Sequence, residues 1–209
     1  MLPVEIAIII LSSYMIGSIP VGYLVCKSKG IDIREVGSGN IGATNVGRAL
    51  GTKWKIITLF VDAFKGGICV YLTQQYFEKA GGIQQDVYPI IAGMSAIAGH
   101  NWTIFLKFKG GKGVATSAGA MSCLAPIPLL VGIAAYLIVV KISKYVSLGS
   151  MISTFVVVLC IIFDPYTHWK DQLFLIIYAT IIWLLVLLRH KDNIKRLING
   201  EESKIVSKT

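Results

Sequence analysis

Apolar segments recur from residue 3 to residue 188, each closed by a proline, a glycine cluster or a basic run. No other feature restricts the fold of this chain as strongly. A bilayer offers no water to the backbone, so a spanning chain must satisfy its own N–H and C=O groups as helices or a closed barrel. Runs approaching 20 apolar residues select helices. Charged residues make up 15% of the 209 positions, whereas a soluble domain carries about 25%. The expected architecture is therefore an all-α polytopic membrane protein, a single integral membrane domain over residues 1–209.

The runs divide into seven expected transmembrane helices. The first covers 3–26 and is broken by Pro20; the second covers about 54–76 and the third about 87–98. Residues 114–140 are apolar throughout, but Pro126 and Pro128 interrupt them and lysines flank both ends. A single span would leave one lysine cluster outside, so the positive-inside rule favours two short helices, about 114–124 and 127–140. The last two are 147–163 and 173–188, with loops expected over 77–86 and 164–171. An odd number of spans puts the N-terminus outside and the C-terminus in the cytoplasm. Of the 20 Lys and Arg, all but Lys65, Lys79 and Lys170 then lie at the cytoplasmic side. The net charge of +9 is thereby explained by topology, with no nucleic-acid partner required.

The stretch Gly37-Ser38-Gly39-Asn40-Ile41-Gly42-Ala43-Thr44-Asn45-Val46-Gly47-Arg48 holds hydroxyls, amides and a guanidinium, and no acid. Glycines allow a loop whose successive N–H groups form a concave nest for an anion. Ser38, Asn40, Thr44 and Asn45 add neutral donors, and Arg48 can grip two phosphate oxygens at once. A second polar stretch, 99–113, sets Lys107, Lys109 and Lys112 among aromatics and Gly110, Gly111 and Gly113. It reads either as part of the same anion site or as an interfacial patch for anionic lipid. Asp62 and Lys65 stand three apart inside a span, on one helical face; a paired structural couple and a role at the site both fit.

Other chemistries find no footing. Gly-x4-Gly-Lys-Ser/Thr is absent, as is a Gly-x-Ser-x-Gly nucleophile elbow. No His is followed, across four residues, by the Asp that soluble glycerolipid acyltransferases use. Cys26, Cys69, Cys123 and Cys160 are scattered through apolar segments, and His100, His168 and His190 are isolated, so no metal site or cofactor is expected. A transporter of organic phosphate would use the same anion grip, but transporters commonly show internal repeats, and none is evident.

Gly17-Ser18-Ile19-Pro20, Asp32-Ile33-Arg34, the stretch 37–48, Asp62-x-x-Lys65-Gly66, Gly99-His100, residues 105–116 and residues 190–204 together resemble the bacterial acyl-phosphate:glycerol-3-phosphate acyltransferase family. The resemblance covers nearly the whole chain. It implies a bacterial inner-membrane enzyme that moves a long-chain fatty acyl group from acyl phosphate to the 1-hydroxyl of glycerol 3-phosphate. The products would be lysophosphatidic acid and inorganic phosphate, and an upstream acyl-phosphate-forming enzyme is an implied partner.

Carried over by position, the resemblance implies a catalytic set of Ser38, Asn40, Thr44, Asn45, Arg48, Lys107 and His190. Ser38, Asn40, Thr44, Asn45 and the backbone of Gly37, Gly39 and Gly42 would take the donor phosphate. Arg48, Lys107, His190, Asn193 and Arg196 would hold the phosphate of glycerol 3-phosphate or the leaving group. Gly110, Gly111 and Lys112 would line the site, and Ser147 and Ser150 would offer hydroxyls. Two departures stand out. Asn101-Trp102-Thr103 follows Gly-His where the family often has an aromatic and a proline. The tail reads Gly200-Glu201-Glu202 rather than Gly-Thr-Glu, which makes Glu202 the matching acid.

Overall fold

The computed structural model describes residues 2–78, 82–164 and 169–205; Lys79 and residues 165–168 of the expected 164–171 loop lie outside them. The described residues are helical: α1 (Leu2–Ser18), α2 (Val21–Lys27), α3 (Ala43–Leu50), α4 (Thr52–Phe77), α5 (Gly82–Asn101), α6 (Val114–Leu124), α7 (Pro126–Ser143), α8 (Val146–Ile162), α9 (Trp169–Arg189) and α10 (Lys191–Ile198), with 3₁₀ turns at Ile33–Glu35 and Ile104–Leu106. Four stretches are long and apolar enough to cross a membrane, namely Val4–Lys27, Thr52–Phe77, Pro126–Ser143 and Gln172–Arg189. Val114–Leu124 and Val146–Ile162 are shorter apolar helices.

Apolar side chains face outward as well as inward. Val4, Ile8, Leu11 and Met15 form an exposed apolar stripe on α1, and Ile56, Phe60, Phe64 and Tyr71 one on α4. Ser13, Thr58, Asp62, Lys65, Thr73, Ser95 and Thr116 are buried. An apolar exterior, with polar side chains kept among the buried residues, is what lipid, as solvent, selects.

Two helices begin earlier than the apolar runs suggested. α5 begins at Gly82 rather than near Val87, and α9 at Trp169 rather than Leu173. Polar side chains end an apolar run but not a helix. The proline break after α6 falls where it was expected, with Ala125 between α6 and α7 and Pro126 at the first position of α7, where its missing N–H costs nothing.

The chain forms two compact units, residues 1–124 and 125–209, each with its own packing. In the first unit, α1, α4 and α5 share a core of Ile9, Cys69, Phe77, Tyr88, Ala92 and Ala96. Small residues bring the helices close together. Gly99 of α5 lies against the α1 backbone at Tyr14 and Ser18, and Gly66 of α4 lies against Thr116 of α6. Packing through small residues is how helices associate where lipid removes the hydrophobic drive. In the second unit, Gly132 of α7 meets Val157 of α8, and Phe155 of α8 stacks on Trp183 of α9 with centroids 4.9 Å apart.

Candidate active site

The Gly-rich stretch begins with its own clamp. Asp32 caps the first 3₁₀ turn by accepting the Arg34 N–H at 3.0 Å, and its carboxylate also holds the Arg34 guanidinium. The Arg34 side-chain bond, joined by the backbone bond, holds the Asp32 carboxyl down at about 2. Gly37 and Gly39 then take φ values of +59° and +66°, a region that L side chains rarely adopt.

Asn45 holds the loop they shape. Its Nδ2 donates to the carbonyls of Val36 at 2.8 Å and Asn40 at 3.0 Å, and more weakly to that of Ile33 at 3.4 Å. Its Oδ1 accepts the Ser38 N–H at 3.2 Å. The side chain is 2% exposed, so both ends of this amide serve the loop's shape. Asn40 accepts the Gly42 N–H at 2.8 Å. The second half of the expected loop is helix: Thr44 and Arg48 belong to the first and last turns of α3. The N–H groups of Ala43 and Thr44 at its start have no intrahelical acceptor. Ser38 and Arg48 are exposed.

The second polar stretch leaves α5 at Asn101 and folds back on it. Thr103 caps the 3₁₀ turn by accepting the Phe105 N–H, and it donates its hydroxyl to the Ser18 carbonyl at 2.5 Å. Gly110 and Gly111 donate their N–H groups to the carbonyls of Asn101 and His100 at 3.2 and 2.9 Å. Lys107 and Phe108 have φ of 52° and 60°, a left-handed pair outside glycine that costs of order 1–3 kcal/mol each. Lys107 is exposed there and Lys112 half-buried. Leu106, one residue earlier, is buried in a cluster with Cys26, Ile33, Ile41 and Val46. One small core thus carries both polar stretches.

Below it lie Asp62 and Lys65, 2.8 Å apart and buried, as the expected couple. His100 joins them, with Nδ1 at 3.5 Å from the same Asp62 oxygen.

In the second unit the expected residues converge on an acid. Ser147, in the first turn of α8, donates to Glu202 at 2.7 Å; Asn193 of α10 donates at 2.6 Å, and the Arg196 Nε at 2.8 Å. Burial alone would push the Glu202 carboxyl up. These three donors and the Arg196 charge outweigh it and hold the group below the usual glutamate range. The Ile205 N–H closes the tail onto the Lys144 carbonyl at 2.9 Å. Ser150 spends its hydroxyl on the Val146 carbonyl, and the His190 Nδ1 lies 2.8 Å from the Val186 carbonyl.

Ser38, Asn40, Thr44, Asn45, Arg48, Lys107, Gly110, Gly111 and Lys112 thus fall in the first unit. Ser147, Ser150, His190, Asn193 and Arg196 fall in the second. Two features were missed from sequence: the structural use of Asn45, and Glu202 as the acid that three of the expected donors share. Among the described residues no group of His, Cys, Asp and Glu is disposed to hold a metal ion. The first unit can neutralise an anion with Arg48, Lys107 and α3 amides, beside an apolar surface.

A family model described as glycerol-3-phosphate acyltransferase matches residues 7–200. The chain is 40% identical over 201 residues to the glycerol-3-phosphate acyltransferase of Bacillus subtilis, covering 96% of this chain and 97% of that protein. It is 42% identical over 191 residues to the one of Thermosipho melanesiensis, covering 91% and 88%. A crystal structure of PlsY (YgiH), an integral membrane glycerol 3-phosphate acyltransferase in its glycerol 3-phosphate form, superposes with a TM-score of 0.87 at 33% identity, covering 97% of this chain and 96% of that one. The lysophosphatidic acid form of the same enzyme gives 0.85 at 32%.

Proposed function

Since the chain belongs to the glycerol-3-phosphate acyltransferase family, we propose that it transfers a long-chain acyl group from acyl phosphate to the 1-hydroxyl of glycerol 3-phosphate. The hydroxyl oxygen bonds to the acyl carbonyl carbon, the bond from that carbon to the phosphate oxygen breaks, and lysophosphatidic acid and inorganic phosphate leave. The hydroxyl proton passes to the departing phosphate, which leaves as hydrogen phosphate. No protein base is required. The protein's share is positioning and charge neutralisation.

The observation that carries this reading is the shared core of Leu106, Ile33, Ile41 and Val46. It sets the turn bearing Lys107 beside the loop and helix bearing Ser38, Thr44 and Arg48. Donors without acids, gathered next to apolar helices, suit a phosphorylated lipid donor and an anionic acceptor. In this reading Arg48 and Lys107 hold phosphate and Asn45 keeps the loop in shape, while His190, Asn193 and Arg196 hold the phosphate of glycerol 3-phosphate or the leaving group and Ser147 offers a hydroxyl. The chain works as one domain of seven spans in the bacterial inner membrane, N-terminus outside and C-terminus and site at the cytoplasmic face. An acyl-phosphate-forming enzyme supplies the donor.

The test is a donor panel. Purified protein with labelled glycerol 3-phosphate should make lysophosphatidic acid from palmitoyl phosphate. Acetyl phosphate should serve poorly, because each CH₂ kept from water contributes ~0.8 kcal/mol. Equal use of palmitoyl thioester, or of acetyl phosphate, sinks the reading. His190→Gln should act mainly on KM; a thousandfold fall in kcat at unchanged KM identifies a protein base instead.

A further inference from the structure

Asp62, Lys65 and His100 are 2%, 4% and 5% exposed, on α4 and α5, where most neighbouring residues are apolar or small. Charges at such depth are costly and mark pairing or function. A mutually satisfied couple would end with the 2.8 Å contact between Lys65 Nζ and Asp62 Oδ1. Here both ends of the cluster reach further.

Lys65 Nζ also donates to the Ile19 carbonyl at 3.0 Å. That carbonyl stands in the break that Pro20 makes between α1 and α2, where it also accepts the Val21 N–H at 3.0 Å. α2 leads directly to the Gly-rich module, with Gly22 packed against the Ile41 carbonyl and Val46. On the other side His100 Nδ1 lies 3.5 Å from Asp62 Oδ1. The His100 carbonyl accepts the Gly111 N–H at 2.9 Å. Its ring lies so close to Gly111 that a Cβ there would collide with Nε2. One carboxylate therefore connects, through Lys65, to the segment carrying Ser38 and Arg48, and through His100, to the turn carrying Lys107 and Lys112.

We infer that Asp62, Lys65 and His100 are positioning residues that set the distance between the two phosphate-gripping segments. The inference rests on the reading that those segments hold the substrates' phosphates. Carboxylate oxygens offer several acceptor sites and an ammonium three donors, so the pair can serve as a hub joining three chain segments. A misplacement of about 1 Å at a reacting group can cost ~10²-fold in rate, so such spacing matters even though no member touches substrate.

The test compares detergent-purified full-length variants by melting temperature and by KM and kcat for glycerol 3-phosphate. The set is Lys65→Met, Lys65→Arg, His100→Gln and the double variant Asp62→Leu/Lys65→Met. Replacing a buried pair by apolar residues often preserves stability, so the double variant should melt near the wild type. The inference expects its KM, and that of Lys65→Met, to rise about tenfold or more with a smaller change in kcat, and Lys65→Arg to recover part of the loss. A folded double variant with wild-type KM overturns it. Should the Lys65 variants not fold, His100→Gln decides, with an unchanged KM again overturning the inference. Lys107→Ala separates the two claims. If its KM and kcat are normal, the reading of the site itself fails; if it is impaired while the cluster variants are not, only the positioning role falls.

Discussion

Asn193 donates its side-chain amide to the Glu202 carboxylate at 2.6 Å, which folds the tail back onto the helix that follows the last span. Ser147 and Arg196 meet the same carboxylate. Residues that look like independent phosphate donors are organised by an acid of the chain itself.

That clasp should be pH-dependent. The Glu202 carboxyl is lowered in the folded protein relative to an ordinary value near 4.3. A group lowered by folding stabilises above its unfolded pKa and loses that contribution as pH falls through its folded pKa. Melting temperature, and protection of the tail from protease, should hold from neutral pH down to about 4 and fall below it. Glu202→Gln should melt lower at neutral pH, its unfolding free energy reduced by about 1.5–3 kcal/mol for lost charged hydrogen bonds, and show a shallower acid limb. An unaltered acid limb in Glu202→Gln contradicts the clasp.

Asn45 gives a second, sharper expectation. Asn45→Ala leaves buried carbonyls and the Ser38 N–H without their partner, at about 1–3 kcal/mol. Asn45→Asp should be worse, although it is closer in shape. It keeps the acceptor for Ser38 but turns a carboxylate oxygen toward the carbonyls of Val36 and Asn40. Thermal stability of the two variants ranks them, and Asp equal to or better than Ala contradicts the assignment.

Arg48→Ala and Lys107→Ala should each cut turnover severely, since losing a charged donor from a phosphate site costs ~1.5–3 kcal/mol. Arg48→Lys should recover little if the guanidinium grips two oxygens. Steady-state kinetics on either alanine variant checks this, and near-normal values return that residue to a lipid-facing patch.

The first unit's core predicts a shared membrane side for positions 40 and 110, because Ile41 and Leu106 pack in one cluster. Single cysteines at those positions in oriented vesicles should label from the same face. Labelling from opposite faces contradicts the seven-span arrangement.

Much of this fold can be read from residues. Pro20 marks the break between α1 and α2, and Pro126 that between α6 and α7, because each removes a helical hydrogen bond and fixes φ. The spacing of Asp62 and Lys65 foretells their pairing. The starts of α5 and α9 are not legible, because each helix begins several residues ahead of its expected apolar run. Nor is the helical half of the Gly-rich stretch: Gly42 and Gly47 read as loop, yet Gly47 sits inside α3 with the Lys55 side chain packed over it. The roles of Asn45 and Glu202 depend on carbonyls and donors brought together by folding. An amide in a donor-rich stretch reads as a ligand, whether it faces the substrate or its own backbone. For Glu202 the signal was the acid of the Gly200-Glu201-Glu202 tail, without its partners.

In the proposed reaction acyl phosphate is consumed by glycerol 3-phosphate and not by water. The direct measurement is inorganic phosphate release from palmitoyl phosphate by purified protein, with and without glycerol 3-phosphate. Phosphate should appear only with the acceptor present, in a one-to-one ratio with lysophosphatidic acid. Release at the same rate without acceptor, or lysophosphatidic acid formed without phosphate release, would contradict the account.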